Sequence, residues 1–148
     1  MYLQIDIQIP TSSQNRQALR PLGLLPGHDL TSKEVKMLQE IESYDLWFVI
    51  ERIMRKKTIK KDKLPAAILF AKRYFALKAI GHEGMVMVDD DADEVWHNFI
   101  LFTREYIEFC EHIAGRYIHH TPETSKTALA PGGEETFWKL YHKYFGQG

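Results

Sequence analysis

The chain has 148 residues, of which 45% are hydrophobic and 26% charged, and its formal net charge is −1. That length suits one domain with a real core, and the balanced charge gives no overall pull toward nucleic acid or a membrane surface. A single cysteine excludes an intramolecular disulfide framework, and with no secretory leader and no membrane-length apolar run the sequence reads as cytoplasmic.

Residues 2–9 alternate, with Leu3, Ile5, Ile7 and Ile9 on one side and Gln4, Asp6 and Gln8 on the other. That is the period of a strand, which Pro10 ends. Its partner is Met85–Val88, a second subunit, or nothing at all if the strand does not form. Residues 11–30 read as an ordered loop, fixed to the core by Leu19, Leu22, Leu24 and Leu25. Thr31 and Glu34 have the spacing of a capping box. Behind them Val35, Leu38, Ile41, Leu46, Phe48, Val49 and Ile53 recur at helical spacing, which predicts one helix over Ser32–Lys57.

Residues 55–63, RKKTIKKDK, hold six basic residues and one acid. Phosphate or nucleic acid could bind there, but no aromatic residue is interleaved, and a solvated helix end is the stronger reading. Asp62 is placed to cap a third helix, with Pro65 in its first turn and Gly81 at its end. The acidic stretch 83–94 then leads to a long apolar helix, expected to start with Asp91 and Glu94 as a second capping box and to stop at Gly115. Residues 121–133 are a loop by composition. A last helix is expected over Glu134–Phe145.

Four helices with modest connections give a mainly all-α fold, a four-helix bundle-like single domain. Residues 1–30 form its N-terminal extended segment and loop, and residues 31–148 its helical part.

The long central stretch carries three runs: D-E-V-W-H-x-x-I-L, T-R-x-Y-x-x-F-C and G-R-x-x-H-H-x-P. Their positions are Asp93, Glu94, Trp96, His97, Ile100, Leu101, Tyr106, Phe109, Cys110, Gly115, His119, His120 and Pro122. Over roughly residues 60–123 the chain resembles the glycine-rich domain-containing protein-like family, as the bare helical domain without the glycine-rich tail. The resemblance implies a helical fold and no particular activity. Trp96, Tyr106, Phe109, Gly115 and Pro122 are its structural marks.

Metal binding is the sharpest chemical candidate, because histidine, cysteine and carboxylate are the usual zinc ligands. Asp93 and His97 lie at i and i+4 and can meet on a helix. His97 and Cys110, 13 residues apart, would be about 20 Å apart on a straight helix and cannot share an ion unless the helix breaks. His119 or His120 can fold back toward Cys110. The candidate ligands for a divalent transition metal are therefore Asp93, His97, Cys110, His119 and His120. The plainer alternative is that the Trp96-His97 pair packs and bonds, and that His119-His120 cap the helix end.

Two other metal patterns fail. Asp89, Asp91 and Asp93 fit the start of a calcium loop, but Glu94 stands where glycine is needed and Ile100 where the bidentate acid belongs. His82-Glu83 lacks a second histidine, since position 86 is Val86. No nucleophile elbow or phosphate-cradling glycine loop is present. The leading functional expectation is a non-catalytic binding or protein-interaction module, able to oligomerise through the N-terminal strand. A metal-binding protein or metal-dependent hydrolase is the alternative.

Overall fold

The computed structural model describes residues 20–121 and 131–147. Helix α1 (Ser32–Ser43) starts at the expected capping box: the Glu34 amide donates to Thr31 Oγ1 at 3.1 Å, and the Thr31 amide donates to Glu34 Oε1 at 3.0 Å. The helix does not run on to Lys57. It stops at Ser43, and α2 (Trp47–Lys56) begins four residues later. Asp45 accounts for the restart, because its Oδ1 accepts the Trp47 amide at 3.0 Å and so competes with a continuous helical ladder. Lys72 completes the corner. Its Nζ donates to the carbonyls of Glu42 (2.8 Å) and Tyr44 (2.7 Å), acceptors that a helix end leaves open.

Helix α3 (Leu64–Ala79) is the axis of the domain. Ala67, Ala71, Tyr74, Phe75, Ala76, Leu77 and Ala79 are all buried on it, and it packs against α1 and two later helices. Pro65 sits in its first turn as expected, but Asp62 does not cap it. Asp62 lies inside a short 3-10 turn, Lys61–Lys63, and the residue before α3 is Lys63, which makes no side-chain cap. Beyond the C-terminal end Gly81 adopts φ +99°, a left-handed conformation that glycine accepts without a Cβ penalty.

The single helix expected between Asp91 and Gly115 is two helices, α4 (Asp90–Leu101) and α5 (Thr103–His112), joined at Phe102 with φ −86° and ψ 71°. Neither glycine nor proline marks the break. Ring packing explains it: Phe102 turns onto Phe48 of α2 (centroids 4.9 Å apart), while Tyr106 and Phe109 of α5 fold onto Phe99 of α4 (4.9 and 5.2 Å). Capping of α4 comes from Asp89, whose Oδ2 accepts the Ala92 amide at 2.8 Å, and not from Asp91. Helix α5 ends at His112, three residues before Gly115, which at φ +76° turns the chain back.

Helix α6 (Gly133–Phe145) starts within one residue of expectation. It closes the bundle with Phe137 and Tyr141 against Phe70 of α3 (5.4 and 5.2 Å). The fold is thus all-α, with the four expected helical segments present and two of them broken, giving six α-helices among the described residues. Leu22 and Leu24 are buried as anchors of the 20–30 loop. The Leu22 amide donates to Glu42 Oε2 at 2.5 Å. Met85–Val88 is not a strand, no strand occurs among the described residues, and residues 2–9 and Leu19 lie outside them. Among the described residues no helix is long and apolar enough to cross a membrane.

Candidate functional site

After Gly115 the chain runs back along the α4–α5 corner, and this return brings together part of the predicted set. Trp96 on α4 is 3% exposed. Its Nε1 donates to the Tyr106 hydroxyl of α5 at 2.9 Å, and that hydroxyl donates in turn to the Ile118 carbonyl of the returning segment. Burial of Ile118 fixes this segment against the core. Two residues on, the His120 ring lies edge-on to Trp96 (centroids 4.4 Å apart), and its Nε2 is 2.7 Å from Asp93 Oδ1 in the first turn of α4. The break at Phe102 makes this reach short: α5 folds back, and the bend at 114–116 with the residues up to His120 covers the remaining gap.

The predicted ligands therefore separate. Asp93 takes His120 as its partner and not His97, which is exposed on α4. His119 is exposed, with its ring against Tyr117 (4.7 Å). Cys110 is fully enclosed below the Tyr106 hydroxyl. Burial pushes the Cys110 thiol up, and the Ile118 backbone and Tyr106 hydroxyl offset this only in part. A buried thiol held protonated is a poor nucleophile. Burial likewise raises the Tyr106 phenol. Among the described residues no three of His, Cys, Asp or Glu converge on a point that could hold a metal ion. What remains is a hydrogen-bonded Asp93–His120 pair against an indole, able to hold or pass one proton, with Phe109 and Gly115 in supporting positions and Pro122 outside the described residues.

Sequence reasoning passed over two further polar sites. Lys72 and Arg73 lie in the middle of the most buried helix. Arg73 Nε donates to the Leu22 carbonyl at 2.8 Å and Nη1 to the Tyr141 hydroxyl at 2.6 Å, with the guanidinium over the rings of Tyr141 and Phe145 (5.5 and 5.1 Å). Burial lowers the Lys72 ammonium to about 8, against a smaller opposing pull from Glu42 and Asp45. Two adjacent cations inside the otherwise apolar run L-P-A-A-I-L-F-A-K-R-Y-F-A-L were the available signal, because such residues are buried only when paired. Asn98 is the other: it accepts from Arg52 Nε at 3.0 Å and donates to the Glu94 carbonyl at 2.8 Å, linking α2 to α4.

The surface also bears an apolar corner. Phe48 and Phe102, ring to ring, are flanked by Trp47, 46% exposed and 5.8 Å from Phe48, and by Leu101, 51% exposed.

No curated protein and no solved structure matches the chain. A family model does, across residues 36–140, and it is the UCP032817-like family. That match corrects the resemblance drawn from the Trp-His and His-His runs, since nothing links the chain to a glycine-rich domain-containing family. The matched span takes in all of α2 through α5 and most of α1 and α6, well over half of the sequence, and the chain belongs to the UCP032817-like family.

Proposed function

We propose that the chain is a cytoplasmic, non-catalytic protein-interaction module, and that its docking face is the apolar corner where the start of α2 meets the α4–α5 junction. The observation that carries this reading is the pair of large exposed side chains, Trp47 and Leu101, set beside the Phe48–Phe102 ring pair. Aromatic residues on a rigid, partly buried platform are the usual anchors of protein interfaces. The platform is rigid here because Phe48 also meets Phe99 of the core (6.0 Å) and Arg52 ties α2 to Asn98 of α4.

The test is site-specific photo-crosslinking in cells from a benzophenone residue placed at 101, with the same group at exposed Lys139 as the control. A discrete adduct at 101, lost when Trp47 is replaced by Ser, supports the reading. Adducts that are equal at 101 and 139, or unchanged by Trp47→Ser, overturn it.

A further inference from the structure

The end of α2 carries a charge arrangement that folding does not ask for. Arg55, Lys56, Lys57, Lys60, Lys61 and Lys63 are all exposed, with Asp62 the one acid among them. Residues 55–63 thus carry a net +5, and against a total of −1 the rest of the chain carries −6. Arg55 pairs with Glu51 at 2.9 Å; the five lysines form no ion pair among the described residues.

Cations near a helix C-terminus suit its dipole, which accounts for Arg55 and Lys56. The same argument runs against Lys60, Lys61 and Lys63, which crowd the N-terminal end of α3. Lys57 is held at φ 57°, in the left-handed region where glycine is the favoured residue. The loop is nonetheless firmly built. The Lys57 amide donates to the Ile53 carbonyl at 2.8 Å, Ile59 is buried, and the Lys63 amide donates to the Lys60 carbonyl at 2.9 Å. Met54, two residues before the first of the lysines, is 46% exposed.

We infer that the 54–63 corner is a docking surface for an anionic lipid bilayer, with the lysines against the headgroups and Met54 at the interface. Clusters of four to eight basic residues at the end of an amphipathic helix are attracted to acidic headgroups. An exposed thioether beside them adds a contact that a phosphate backbone would not use, and the loop has no aromatic ring to stack on a base. Surface docking needs no membrane-spanning helix.

The experiment is co-flotation of the full chain with phosphatidylserine/phosphatidylcholine vesicles. Binding is expected to the mixed vesicles, to be absent with pure phosphatidylcholine, and to be lost as salt is raised. The triple variant Lys57→Gln, Lys60→Gln, Lys61→Gln should bind about a hundredfold more weakly. A second triple, Lys33→Gln, Lys36→Gln, Lys139→Gln, has the same net charge and should bind like the parent. Met54→Ser should weaken binding without changing its dependence on salt. Because all the replaced residues are exposed or half-exposed, unchanged helical content and melting temperature are expected in each variant. Absence of binding to the mixed vesicles, or equal loss in both triples, overturns the inference. So does preferential binding to a duplex oligonucleotide or to polyglutamate, which would assign the loop to that class instead.

Discussion

Replacing Tyr106 by Phe removes one oxygen and should cost far more than its size suggests. The hydroxyl accepts from the Trp96 indole N–H and donates to the Ile118 carbonyl. Trp96, Tyr106 and Ile118 are all buried, so both orphaned groups would sit away from water. An unsatisfied buried polar group costs about 1–3 kcal/mol. The Ile118 carbonyl can recover part of its loss if its segment lifts and admits water, which sets the sum at about 2–4 kcal/mol. In a domain of this length each kcal/mol moves Tm by about 2–4 °C, so a fall of roughly 5–15 °C is expected. Urea and thermal unfolding by circular dichroism measure it, with Tyr117→Phe as the control at about ±0.5 kcal/mol for an exposed ring. A second readout is independent of global stability: lifting of residues 116–121 uncovers Cys110, so the thiol should react faster with a disulfide reagent under native conditions. A loss below about 1 kcal/mol, with Cys110 reactivity unchanged, would refute the claim that this hydroxyl is the latch.

Two further outcomes follow from the same structure. His120→Ala removes a hydrogen bond to a half-exposed Asp93 and an edge contact with Trp96; the loss in urea unfolding should be about 1 kcal/mol, and a value above about 3 would mean the pair is buried more deeply than its geometry indicates. Lys72 should make stability depend on alkaline pH. Burial lowers its folded-state value to about 8 from 10.5, so between those limits the unfolded chain binds more protons and stability rises with pH. Lys72→Met abolishes that gain, and the stability difference between parent and variant should move in the parent's favour by up to ~3 kcal/mol across the window. Tyr74, which burial pushes up to about 12, acts in the opposite sense above pH 10, but it does so in both proteins and cancels in the difference. A difference that stays flat from pH 8 to 10.5 would sink the argument.

What could be read from the chain was whatever a local rule decides. Thr31 with Glu34 marked a helix start, Gly81 a stop, and the aromatic spacing of 134–145 a final helix. The two breaks were not legible, because their causes are tertiary. Asp45 alone is a weak signal until Lys72, 27 residues later, caps the carbonyls of Glu42 and Tyr44. Phe102 is an ordinary helix residue until Phe48 offers it a ring. The break at Phe102 also decided the candidate site. A straight helix keeps His120 far from Asp93; the folded one brings them to 2.7 Å and leaves His97 facing solvent. Spacing counted along one helix could pair Asp93 only with His97, and the return of the chain changed that choice.

Of the chemically suggestive residues, His120 and Cys110 are built into the α4–α5 corner, while His97 and His119 are exposed. Helix α2 buries Val49 and Ile53, packs Phe48, Ile50 and Arg52 partly against the rest of the bundle, and exposes Trp47, Glu51, Met54, Arg55 and Lys56. At its start it presents Trp47 beside the Phe48–Phe102 pair, and at its end Met54 and the lysines. Seven residues at 1.5 Å each put Met54 about 10 Å along the axis from Trp47, and the lysines lie beyond it. The two can be told apart by experiment, because Trp47→Ser should remove the crosslinked partner and leave vesicle binding intact, while the lysine triple should do the reverse. Loss of both activities in either variant would mean that α2 offers one continuous surface and not two.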